Sequence, residues 1–230
     1  KLAFPVINIL LCISKHFFIM KSENTSLEDL KAIRKIMEES SRFLSLSGLS
    51  GVLAGLTATA GGLAAYFLIL KGGTVGYDES TGGILGNAPG SVIWWLVACE
   101  SLVLVISVLF ALFLAVKKAA RTGKLFWTPV SKRLLINLLI PLATGGIFAV
   151  ILILQNNLSL IIPSLLIFYG LALVNAGKFT FSEIVYLGIL EVLTGLAAAF
   201  FSGGDLFFWI FGFGLLHVVY GLALYRKYES

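Results

Sequence analysis

Apolar residues fill most of this chain in long blocks, and short polar segments separate them. Six blocks stand out, near residues 44–70, 92–116, 134–154, 158–176, 184–201 and 206–225. Crossing a bilayer as a helix takes about 20 apolar residues. Inside hydrocarbon every backbone amide must find its partner within the segment, so such runs predict helices rather than open strands. The expected fold is all-α, a six-helix transmembrane bundle over 44–230.

A different pattern precedes the bundle. Thr25 and Glu28 have capping-box spacing, and Leu30, Ile33, Met37 and Leu44 then recur on one face. Arg34 with Glu38, Glu38 with Arg42, and Lys35 with Glu39 are each four residues apart and of opposite charge. Residues 20–43 therefore read as a cytosolic amphipathic helix. Residues 1–19 hold a short apolar run behind Lys1, followed by Lys15 and His16. That run is too short to span. Because Met20-Lys21-Ser22 looks like a start of translation, 1–19 reads as an upstream or leader segment.

Composition sharpens the class. The chain has 230 residues, 58% apolar and 13% charged, with a mean hydropathy of +0.98. Soluble domains carry about 25% charged residues. A soluble enzyme, a disordered chain and a disulfide scaffold are excluded; Cys12 and Cys99 lie far apart in apolar surroundings. Net charge is +5, and its distribution is more informative than its size. Fourteen of the basic residues in and after Lys21 fall on one side of the predicted bundle, with Lys71 alone on the other. The positive-inside rule then puts both termini in the cytosol. Tyr66, Trp94, Trp95 and Trp209 are expected at the outer interface, and Tyr186, Tyr225 and Tyr228 at the inner one. The segment from Lys117 to Arg133 carries six basic residues, no acid, and Phe126-Trp127. It reads as a loop gripping anionic headgroups. No nucleic-acid motif accompanies it.

Polar residues within the blocks supply the candidate chemistry, since an ionisable group in hydrocarbon calls for a partner or a purpose. Three qualify: Glu100, Glu191 and His217. Glu191 lies 11 residues before Ser202 and His217 lies 12 after Asp205, on the two arms of a predicted hairpin. At 1.5 Å per residue, both sit roughly 17 Å below the turn. Glycines bracket each of them: Gly188 and Gly195 around Glu191, Gly214 and Gly221 around His217. Small residues let helices approach closely, so Glu191 and His217 are expected to face the bundle, acid and imidazole face to face. Glu100, roughly 12 Å deep, would join the layer if its helix is adjacent. Such a layer reads either as a neutral hydrogen-bonded pair that fixes packing or as a proton or cation site. A transition metal on the three is a third reading, but no ligand spacing enforces it, and neither a metal nor a cofactor is assigned. Pro141, followed by Gly145 and Gly146, is expected to disturb the third helix. Helices 1–3 and 4–6 could be inverted halves, each with a glutamate in its middle helix.

Two resemblances bear on function. Gly48-Leu49-Ser50-Gly51 resembles the nucleophile motif of rhomboid intramembrane proteases. That family carries the serine on its fourth helix, and Ser50 starts the first, far from the level of His217, so protease activity is not expected. Residues 30–55, with core Ser40-Ser41-Arg42-Phe43-Leu44-Ser45-Leu46-Ser47-Gly48-Leu49-Ser50-Gly51, resemble the opening of small multi-pass inner-membrane proteins of Bacteroidetes-type bacteria. That resemblance implies a bacterial inner membrane and brings no mechanism. The sequence thus predicts a non-enzymatic membrane protein. Its first reading is regulatory or scaffolding, engaging a cytosolic protein or a second copy through the 27–43 helix and the basic 117–133 loop. The alternative is a small proton- or cation-coupled transporter using Glu100, Glu191 and His217.

Overall fold

A computed structural model describes residues 47–70, 90–123, 125–201 and 204–229. The chain divides into Lys1–Arg42 and Phe43–Ser230, and every described residue belongs to the second unit. The expectations for 1–19, for the 20–43 helix and for the Gly-rich connection 71–89 lie outside the described residues. The protein is all-helical among the described residues, with six helices long and apolar enough to cross a membrane. They are α1 (Gly48–Phe67), α2 (Ile93–Arg121), α3 (Pro129–Leu154), α4 (Leu158–Gly177), α5 (Ser182–Phe200) and α6 (Asp205–Tyr228).

Glycines set the tightest contacts, in two antiparallel pairs. In α4 and α5, a Cβ on Gly170 would lie 2.6 Å from the Gly188 carbonyl oxygen, and one on Gly188 would lie 2.6 Å from that of Gly170. In α1 and α6, a Cβ on Gly48 would lie 2.6 Å from the Gly221 carbonyl, and one on Gly221 would lie 2.7 Å from that of Gly48. A Cβ on Gly55 would lie 2.6 Å from the Gly214 carbonyl oxygen, while one on Gly214 would meet the Thr59 side chain first. Each pair therefore brings backbone to backbone, which hydrophobic burial cannot drive in lipid but close packing can. The bracketing glycines are packing residues, as expected, with different partners. Gly188 and Gly195 face α4, and Gly214 and Gly221 face α1 or its side chains. They do not join α5 to α6. Each of the two helices has a closer neighbour elsewhere.

Two further expectations are corrected. Pro141 lies inside an unbroken helix, Pro129–Leu154. Proline removes one intrahelical bond and tertiary packing in a long apolar helix tolerates it. The helical irregularities are instead π-helical stretches at Ala65–Leu70 and Ile210–Leu216. The 117–133 segment is mostly helix: Lys117, Lys118 and Arg121 end α2, and Lys132 and Arg133 open α3. A capping box between Thr128 and Ser131 starts α3, and the basic residues at the C-terminus of α2 suit its dipole. Exchanging helices 1–3 with 4–6 carries the α1–α6 contact onto α4–α3 and the α1–α2 contact onto α4–α5, and all four occur, whereas the α5–α6 contact has no comparable counterpart between α2 and α3.

One end of the bundle is tied by charge. Glu229 Oε1 accepts from Lys118 Nζ at 2.9 Å and from the Gly48 amide at 2.8 Å, and Oε2 accepts from Ser47 Oγ at 3.0 Å. Partial burial pushes the Glu229 carboxyl up, but these hydrogen bonds outweigh it and hold the group below its ordinary range. Glu183 takes hydrogen bonds from Lys227 and Tyr228. The starts of α1 and α5 and the ends of α2 and α6 therefore share one end.

Candidate functional site

The centre of the bundle is built on α4, α5 and α6. Glu191 on α5 is fully buried and His217 on α6 is nearly so. His217 Nδ1 lies 3.3 Å from Glu191 Oε1 and 3.2 Å from the Gly212 carbonyl oxygen. On the other side of the ring, Nε2 lies 2.7 Å from Tyr169 Oη on α4. The Gly212 carbonyl can only accept, so Nδ1 carries a hydrogen. In the neutral ring Nε2 is then the acceptor and the Tyr169 hydroxyl donates to it. Neither Glu191 oxygen accepts a hydrogen bond among the described residues. A Cβ on Gly212 would lie 2.7 Å from Glu191 Oε2, so glycine there leaves room for the carboxyl.

The local backbone explains how His217 reaches this position. It follows directly on the π-helical stretch Ile210–Leu216. That stretch widens the helix and turns the Gly212 carbonyl toward the His217 ring. Such insertions recur at functional sites.

Glu191 and His217 are thus brought together, at matching depth, and Glu100 is not with them. Glu100 lines a cavity of about 60 Å³ between α1, α2, α4 and α6, together with Asp205, Trp209 and Cys99. Glu191 and His217 do not line it. The reason is that α2 packs on α1 and does not reach α5. No group of three or more His, Cys, Asp or Glu side chains suited to a metal occurs among the described residues. Ser50 Oγ donates to the Ser47 carbonyl at 2.5 Å, and both nitrogens of His217 face other groups, so the serine and histidine do not form a nucleophile–base pair.

Tyr169, Tyr220 and Asp205 were missed. Tyr169 is the middle residue of the helix Ile161–Gly177, far from either interfacial belt. A phenol at mid-membrane was the available signal. Tyr220 Oη is buried without a partner among the described residues, as is Asp205 Oδ2. Asp205 was taken as a turn residue; its spacing from Trp209, Phe213 and His217, four residues at each step, puts all four on one stripe of α6. Trp209 was expected at the outer lipid interface and is buried instead, its indole N–H donating to the Ala58 carbonyl at 3.4 Å. Tilted ring contacts run from this stripe to α4: Trp209 to Phe213 at 4.5 Å between centroids, and Phe213 to Tyr169 at 5.2 Å.

No family model, curated protein or solved structure matches the chain.

Proposed function

We propose that this membrane protein is a small proton-coupled transporter in which Tyr169, His217 and Glu191 form the proton site. One observation carries this reading: a fully buried carboxyl with no hydrogen bond to either oxygen sits 3.3 Å from an imidazole nitrogen. A purely structural polar layer satisfies its members, because unsatisfied ones are costly. A carboxyl kept short of partners and beside an imidazole is arranged to change its proton.

The relay follows from the ring's two contacts. A proton delivered to Nε2 makes the imidazolium, and the Nδ1 proton then moves to Glu191 Oε1. The ring is left neutral with its hydrogen on Nε2, donating back to the Tyr169 oxygen. Mid-membrane Glu and His in such pairs are a recurrent basis of proton relays. The regulatory or scaffolding reading rests on the 27–43 helix, outside the described residues, and on the basic 117–133 segment; the buried carboxyl beside an imidazole supports the transporter instead.

Placement in a bacterial inner membrane with cytosolic termini is part of the proposal. It is supported by the basic bias of one side and by the shared end at which Lys118 and Glu229 meet. Exposed Leu125 and Trp127 beside basic residues suit anionic headgroups at that end.

The test is proton uptake by the full chain in proteoliposomes under an imposed pH gradient. The wild-type chain is expected to carry protons, and Glu191→Gln to lower the rate about tenfold or more, with unchanged thermal unfolding. Equal uptake by the two proteins, or none by the wild type, would refute the proposal.

A further inference from the structure

The cavity holding Glu100 is a second polar centre that the proton site does not use. Its walls are mainly apolar, with Ile93, Val97 and Leu158 among them, and Trp209 lines it too. Two carboxyls line it from different helices, Glu100 on α2 and Asp205 at the start of α6. Asp205 is 5% exposed, and its Oδ2 is buried with no hydrogen-bond partner among the described residues. A buried acid left unpaired is either kept as a neutral acid or neutralised by a cation.

The lining selects among cations. Calcium takes six to eight oxygen ligands, and magnesium keeps several waters. Two carboxyls in an apolar wall supply too few oxygens to replace that shell. A primary ammonium needs only three acceptors and brings an apolar stem to match the aliphatic wall. It also gains from the face of an indole. Size points the same way: about 60 Å³ exceeds the room one water needs, and falls short of the roughly 150 Å³ cavity that holds benzene.

We infer that the cavity between α1, α2, α4 and α6 is a binding site for a small primary alkylammonium ion, held by Asp205 and Glu100 against Trp209. One carboxylate is the counter-ion, and the other carboxyl accepts a further N–H as a neutral acid. The inference stands on this cavity alone and does not require that Glu191 exchange protons. Trp209, which lines the cavity, contacts Phe213, and Phe213 in turn contacts Tyr169 of the proton site.

Calorimetric titration of the full chain in lipid nanodiscs with ethylammonium chloride tests it, with 1-propanol as the neutral control of similar size. Saturable binding of one ethylammonium per chain is expected, and none of propanol. Asp205→Asn and Glu100→Gln are each expected to weaken binding about tenfold or more. Glu100 makes no hydrogen bond among the described residues, so its variant keeps the test open if Asp205→Asn fails to fold. No saturable binding by the wild type would overturn the inference. So would undiminished binding in the variants, or equal occupancy of the site by potassium or calcium.

Discussion

Gly188→Ala is expected to destabilise the protein by about 3 kcal/mol or more, at the upper end of what overpacking costs. The new methyl would stand 2.6 Å from the Gly170 carbonyl oxygen and 2.8 Å from the Val174 amide nitrogen. Both are backbone atoms, so no side-chain rotation relieves the clash and α4 and α5 must separate. That separation would also carry Tyr169 away from His217, since Tyr169 adjoins the crossing point at Gly170. Gly146→Ala is the internal control: it adds the same methyl where nothing lies within 4 Å. There alanine is expected to be neutral or to stabilise the helix by up to about 1 kcal/mol. Thermal unfolding in detergent, with both variants beside the wild type, measures the difference. Equal midpoints for the two variants would mean that the α4–α5 crossing is not as close as described.

His217→Leu is the second large effect. It strands a fully buried carboxyl and removes the acceptor of Tyr169. Breaking a buried charged pair costs about 3–5 kcal/mol, and stranding a neutral polar group about 1–3 kcal/mol. The size of the loss therefore reports whether Glu191 is ionised in the resting protein. The triple replacement Glu191→Leu, His217→Leu and Tyr169→Phe removes every member, and apolar substitution of a whole buried network is often neutral or stabilising. It is expected to recover most of the stability lost in His217→Leu while carrying no protons. Unfolding midpoints and liposome uptake, taken on both proteins, separate the two roles. A triple variant less stable than His217→Leu would make the network a packing device.

How much of this was legible depended on what the signal measures. The helices were legible because lipid imposes a length and a composition that composition alone reveals. The depth of Glu191 and His217 followed from counting residues off one turn, and the pair does meet. The partners of the flanking glycines were not legible. A glycine marks a face that approaches something, and only the assembled bundle shows that Gly188 approaches Gly170 and Gly221 approaches Gly48. Glu100 was misplaced for the same reason, since its depth was readable and its neighbour was not. Pro141 was overread because the penalty known from water is softened where neighbouring helices hold the chain. Tyr169 carries no charge and falls inside an apolar block, so its place in the sequence does not mark it. Its hydroxyl mattered only once α4 was known to lie against α6.

The central claim is that Glu191 changes its protonation beside His217. Infrared difference spectroscopy of the full chain in lipid, recorded while pH is stepped, follows protonated carboxyl stretches one by one. A carboxyl band that titrates in the wild type, disappears in Glu191→Gln and shifts in Tyr169→Phe is the expected result. A spectrum in which Glu191→Gln removes no titrating band would contradict the account.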